Sequence, residues 1–136
     1  MQSITLSNKI SDTAILSDFL AGQVKTLELS DEIYNDLRLV IEEVFVNIAN
    51  YAYTEQNNQT ITIELSNTSD DIIITFTDTG IAFNPLTVPI ECEGTYDHCE
   101  GGMGIQIITS LTDHQEYDRV GQSNVFTVTK HYTNQK

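Results

Sequence analysis

Glu43 and Asn47 stand four residues apart, so on a helix their side chains lie on one face about a turn apart. That arrangement suits a carboxylate beside a reacting phosphate and an amide oxygen on Mg²⁺, a cation that seeks oxygen and keeps several of its waters. An exposed helical face carrying Glu42, Glu43 and Asn47 is the plainer reading of the same residues. Asp78 closes a β-branched run and Gly80 lets the backbone turn sharply after it. A carboxylate fixed there can accept from an exocyclic amino group such as adenine's, although Asp-x-Gly also occurs in ordinary turns. Gly101-Gly-Met-Gly104 precedes a further apolar pattern. Residues without Cβ admit phosphate close to the positive end of a helix, or simply shape the chain. The motif lacks the lysine and hydroxyl of a Walker loop, and it follows no first strand as a dinucleotide fingerprint does. The three motifs together suggest an ATP-binding site.

Several elements must hold these residues. Residues 3–7 alternate as a short first strand, with Ser7 or Ser11 available to cap a helix over 11–27 that carries Ile15, Leu16, Phe19, Leu20 and Val24 on one face. Ser30, with Asp31 and Glu32 behind it, starts a second helix that runs to about residue 53. Its broad apolar set, from Ile33 to Ala52, marks it as central. Residues 60–66 and 71–77 read as an antiparallel hairpin. The stretch 81–100 holds both prolines, little periodicity and several acids, and reads as a functional lid. Glycines 101, 102 and 104 precede a third helix that starts at about Ile105 and ends near Thr112, and 114–119 with 124–132 form a last hairpin. The order is βααββ, lid, αββ.

A chain of 136 residues, 40% hydrophobic, fits a single domain over 1–136. The net charge of −14 argues against direct nucleic-acid binding and against acidic membrane surfaces. No apolar run approaches the ~20 residues of a membrane span, and the N-terminus has no basic start, so a cytoplasmic location with reduced Cys92 and Cys99 is expected. With only six Lys and Arg, backbone amides and a divalent cation must supply most of the positive potential for a polyphosphate.

The motifs resemble the N, G1 and G2 boxes of the GHKL ATPase superfamily over most of the chain. Glu43-x-x-x-Asn47 with Tyr51-Ala52-Tyr53, Asp78-Thr-Gly-Ile-Ala-Phe-Asn-Pro85, Gly101-Gly-Met-Gly-Ile105 and Asn124-Val-Phe-Thr-Val-Thr-Lys130 are similar to the stand-alone anti-sigma-factor serine/threonine kinases. The resemblance implies an α+β fold: a two-layer sandwich with about three helices on one face of a mixed, mainly antiparallel sheet. It implies ATP and Mg²⁺ as ligands, with Glu43 as the catalytic base toward a partner's serine and Asn47 on the metal. Nucleotide contacts would come from Asn47, Asp78, Gly80, Phe83, Gly101, Gly102, Met103, Gly104 and Asn124. Implied partners are a STAS-type anti-sigma antagonist, a sigma factor and a second copy in a homodimer.

Two departures stand beside these implications. Tyr51 occupies a position where many relatives have histidine, and no Lys or Arg lies between Ile81 and Gly101. Phosphoryl transfer relies on positive groups to stabilise spreading charge, so a nucleotide-responsive binding module without phosphotransfer is the alternative. Cys92, His98 and Cys99 lack the paired short spacing of structural zinc motifs, and His114 and His131 have no nucleophile pattern beside them.

Overall fold

The computed structural model describes residues 2–52, 59–87 and 100–132. Five strands form one sheet: β1 (Gln2–Ser7), β2 (Thr60–Asn67), β3 (Asp71–Asp78), β4 (His114–Val120) and β5 (Ser123–His131). Their spatial order is β1-β2-β3-β5-β4, and every pairing is antiparallel. The expected mixed, mainly antiparallel sheet is thus antiparallel throughout its described strands. Helices α1 (Thr13–Thr26), α2 (Asp31–Asn47) and α3 (Glu100–Leu111) provide the second layer.

Period-two patterning decides which face of the sheet is covered. Ile61, Ile63 and Leu65 on β2, Ile72, Ile74 and Phe76 on β3, and Phe126 and Val128 on β5 are buried, whereas the alternate positions are threonine-rich and partly open to solvent. Against this face pack Leu16, Leu20 and Val24 of α1, Leu37, Val40, Ile41, Val44 and Phe45 of α2, and Ile108 of α3. Burying each large side chain contributes about 1.5–3 kcal/mol, so the central position of α2 follows from its having the widest apolar face.

The ends of the elements differ from local expectation in three places. A 3₁₀ turn, Ile10–Asp12, precedes α1, and neither Ser7 nor Ser11 caps the helix. The Ser7 hydroxyl and amide both donate to Asp12 Oδ2, at 2.7 and 3.1 Å, so the carboxylate serves the strand end instead. Second, the last turn of the long helix widens to a π-helix over Ile48–Ala52. Third, α3 begins at Glu100, which places the glycines inside its first turns and not ahead of it. Glycine disfavours a helix by about 1 kcal/mol relative to alanine. Packing of α3 on α2 overrides that preference, and the lack of a side chain at Gly104 is what permits the approach.

Other ends follow the expected chemistry. Ser30 Oγ accepts from Ile33 N at 3.2 Å, with Asp31 and Glu32 in the first turn of α2. At the end of α1, Leu29 N donates to Val24 O and Glu28 N to Lys25 O, a Schellman closure whose left-handed position is taken by Glu28 at φ 56°. Lys130 on β5 donates to Leu111 O at 2.8 Å and pairs with Asp36 at 3.4 Å, tying the sheet to α3 and α2. No helix among the described residues is long and apolar enough to cross a membrane.

Candidate functional site

The three motifs converge at one end of the sandwich. Glu43, half-buried on α2, lies directly against Gly104 on α3: a Cβ built on that glycine would meet the carboxylate, with Cδ at 2.6 Å and Cγ at 3.0 Å. The first and third motifs are therefore in van der Waals contact, and the glycine is what makes room for the acid.

The second motif is fastened to the π turn that ends the same long helix. Ile81 N donates to Ala52 O at 2.9 Å, and a Cβ on Gly80 would strike the Ala52 carbonyl carbon at 2.8 Å and its oxygen more closely still. The Tyr51 ring stacks on Phe83, centroids 5.6 Å apart and planes 24° apart. Tyr51 thus buttresses the loop that carries Phe83. The wider π turn places the Ala52 carbonyl where the loop needs an acceptor, in keeping with the frequent use of such turns at functional sites.

Asn47, Asp78 and Asn124 are polar residues buried here, 4%, 2% and 2% exposed. Among the described residues the Asn47 Nδ2 has no hydrogen-bond partner. A buried amide end left unmatched carries a desolvation cost of about 1–3 kcal/mol, which a bound ligand can relieve. A half-turn of χ2 exchanges nitrogen for oxygen at the same place, so the residue can meet a cation or a polar ligand there. This fits the hard-oxygen donor expected for Mg²⁺. Among the described residues no cluster of three His, Cys, Asp or Glu side chains offers a metal site. The Cys92, His98 and Cys99 group and most of the lid lie outside the described residues.

Among the described residues, both hydrogen bonds to the Asp78 side chain converge on Oδ1, from Gly80 N at 2.9 Å and from Asn124 Nδ2 at 2.8 Å, which leaves Oδ2 as an acceptor. Burial raises the Asp78 pKa above the ordinary carboxylate value, while the Asn124 side chain, the Gly80 amide and the Arg119 charge pull it down. Asn124, 2% exposed, is engaged on every side. Its Nδ2 also donates to Ile81 O at 2.7 Å, and its Oδ1 accepts from Phe83 N at 3.1 Å, Tyr117 Oη at 2.5 Å and Arg119 Nη1 at 3.1 Å. Arg119 Nη1 donates to Gly80 O as well, at 2.8 Å.

Tyr117 and Arg119 are the residues that local sequence reasoning misses. They hold alternate positions on β4, and the only local signal is that parity. Register supplies the rest: Asp78 lies opposite Asn124, and Asn124 opposite Arg119, in one cross-strand row. The next row inward is Phe76, Phe126 and Tyr117, so the sheet changes from apolar to polar at the edge of the core.

Gly101, Gly102 and Met103 lie in the first turn of α3, where backbone amides have no intrahelical acceptor and the helix dipole favours an anion. A separate depression of about 420 Å³ on the β4–β5 hairpin is lined by Glu116, Tyr117, Asp118, Val125 and Thr127. It contains none of the three motifs, and its two acids oppose phosphate.

The chain is similar to known proteins in sequence and in fold. The chain is 28% identical over 111 residues to the serine-protein kinase RsbW of Bacillus mycoides (strain KBAB4), an alignment covering 77% of this chain and 69% of that protein. Its fold is similar to the histidine kinase domain of the blue-light activated histidine kinase of Erythrobacter litoralis EL346, with a TM-score of 0.51 and 17% identity over 73% of this chain. The chain spans 44% of that longer structure, and the likeness speaks for the fold alone. The family profile of the histidine kinase-like ATPase domain matches residues 6–130, nearly the whole chain, and the protein belongs to that family, whose membership implies ATP binding.

Proposed function

We propose that this protein is an ATP-dependent serine/threonine protein kinase of the anti-sigma-factor type, acting in a partner-switching pathway. Its substrate is a serine or threonine of a STAS-type antagonist, and its other partner is a sigma factor. The observation that carries the reading is the contact of Glu43 with Gly104, which puts a carboxylate at the entrance of the glycine-rich helix. Similarity to a serine-protein kinase supports the choice of substrate class.

The roles follow from the residues. Asp78 Oδ2 accepts from the adenine amino group, Gly80 and Phe83 shape the base pocket, and the first-turn amides of α3 receive phosphate. Asn47 holds Mg²⁺, which when bound adds positive charge at the phosphates. Glu43 takes the proton of the partner's hydroxyl as its oxygen bonds to the γ-phosphorus. The bond from that phosphorus to the β–γ bridging oxygen breaks, and ADP leaves with the electron pair.

Incubation of the native chain with Mg-ATP and the cognate STAS protein tests the reading. Serine or threonine phosphorylation that Glu43→Gln abolishes, with ATP binding retained, is the expected result. Absence of phosphorylation by native protein that binds ATP would sink the kinase assignment. It would favour the second reading, a nucleotide-responsive binding module, whose support is the lack of Lys and Arg between Ile81 and Gly101.

A further inference from the structure

We propose that Asn124, Tyr117 and Arg119 form a positioning network that fixes the Asp78 carboxylate and the loop after it for reading a purine's exocyclic amino group. The inference rests on the assignment of ATP to this site. It concerns how the base is selected, and it gives Asn124 a different task from touching the nucleotide.

The amide of Asn124 has no capacity left for a ligand. Both Nδ2 hydrogens are engaged, by Asp78 Oδ1 and Ile81 O. Three donors, from Phe83 N, Tyr117 Oη and Arg119 Nη1, crowd an oxygen that has two lone pairs. The donors on one end and the acceptors on the other also fix which way the amide points. Rotation by a half-turn would set an oxygen against the Asp78 carboxylate and the Ile81 carbonyl, and an NH₂ against three donors.

One side chain therefore joins four parts of the pocket: the acid at the end of β3, the loop backbone at 81 and 83, the half-buried Tyr117 and the exposed Arg119 of β4. Arg119 adds a second tie to the loop through the Gly80 carbonyl. Because the Asn124 and Gly80 donors both fall on Oδ1, the network sets the direction in which Oδ2 faces. Direction matters here, since a hydrogen bond weakens steeply as its angle departs from linear. Tyr117 and Arg119 touch no ligand in this scheme and act only through Asn124 and the loop.

Binding of ATP and of purine riboside triphosphate, which lacks only the exocyclic amino group, tests the network by calorimetry on the native protein, Tyr117→Phe, Arg119→Met and Arg119→Lys. The native protein should prefer ATP by about tenfold or more, the worth of one hydrogen bond to a charged group. Tyr117→Phe and Arg119→Met should each narrow that preference at least threefold, and Arg119→Lys should restore part of it. A merely structural role would weaken both ligands by one common factor. Thermal melting of each variant confirms that a folded protein is being measured.

Preservation of the native preference in folded Tyr117→Phe and Arg119→Met would overturn the network, as would equal native affinity for the two nucleotides. Native protein that binds neither nucleotide defeats the underlying ATP assignment instead, so the two failures are distinct.

Discussion

Gly80→Ala should cost stability and nucleotide affinity together, whereas Gly22→Ala should raise stability and leave the site alone. At Gly80 the added methyl would lie 2.8 Å from the Ala52 carbonyl carbon and 2.9 Å from its Cβ, with the carbonyl oxygen closer than either. The atoms it meets belong chiefly to backbone, so the loop or the π turn has to move. Overpacking of this kind costs about 1–3 kcal/mol. Loss of the neighbouring Ile81–Ala52 hydrogen bond adds about 0.5–1.5 kcal/mol.

For a domain of this size about 3.5 °C accompanies each kcal/mol, so the melting temperature should fall by roughly 5–15 °C. The same movement displaces the Gly80 amide from Asp78 Oδ1 and weakens ATP binding by about tenfold, the value of one charge-assisted bond. Gly22, inside α1, has nothing within 4 Å of a built Cβ. Alanine there should gain about 0.5–1 kcal/mol through helix propensity and a smaller loss of backbone freedom. Melting and ATP titration of both variants provide the assay. Gly80→Ala that melts within about 2 °C of native and binds ATP normally would refute the reasoning from packing.

Three further substitutions read other parts of the structure. The Asp78 pKa is raised by burial, so stability from this group is fully present below the unfolded value near 3.8 and is lost as pH rises through the folded value. Asp78→Asn should therefore melt at or above native near pH 7, the gap closing on acidification, while its preference for the adenine amino group disappears; a gap that widens toward low pH contradicts the assignment. Lys130→Met removes the bond to Leu111 O and the Asp36 pair, and should cost about 1.5–3 kcal/mol in denaturant melts; a change under about 0.5 kcal/mol would show the tie to be idle. Glu28→Gly relieves the left-handed strain at φ 56° and should gain about 1 kcal/mol, with an unchanged melt counting against that strain.

The elements and the three motifs were legible because their signals are local. Alternation in 71–77 and 124–132, the cap at Ser30 and the spacing of the α2 core positions all fall within a few residues, and each is reproduced in the fold, the strands ending within a residue of those bounds. What local pattern could not supply was contact across long separations. Asn124 meets Asp78 across 46 residues because β3 pairs with β5 and passes over β4 in sequence, and no periodicity states which strands will be neighbours. Tyr117 and Arg119 owe their roles to the same pairing. The early start of α3 was hidden for a related reason: three glycines argue against a helix until another helix is packed on them. Ser11 looked like a cap, yet the 3₁₀ turn and the Ser7–Asp12 pair decide how α1 begins.

Charge supplies the last test, because the protein carries 20 Asp and Glu against six Lys and Arg. Of the five described Lys and Arg, Arg38 pairs with Glu42, Lys130 is held by Asp36 and the Leu111 carbonyl, and Arg119 donates to Gly80 O and Asn124 Oδ1, while Lys9 lies just ahead of α1 and Lys25 in its last turn. Arg38, Lys130 and Arg119 are thus already engaged by acceptors of the protein itself. The start of α3 offers about half a positive charge, which is small beside the charge of ATP. A divalent cation must then carry much of the attraction. One unit-charge pair at 4 Å is worth about 4 kcal/mol at an effective dielectric of 20, and a third of that already changes affinity about tenfold. Removing Mg²⁺ with a chelator should accordingly weaken ATP binding by at least about tenfold while adenosine, which has no phosphate, binds as before. Calorimetry with and without chelator distinguishes the two ligands. Equal ATP affinity in both conditions would mean that the phosphates find their positive charge in the protein itself, and the role given to Asn47 would fall with it.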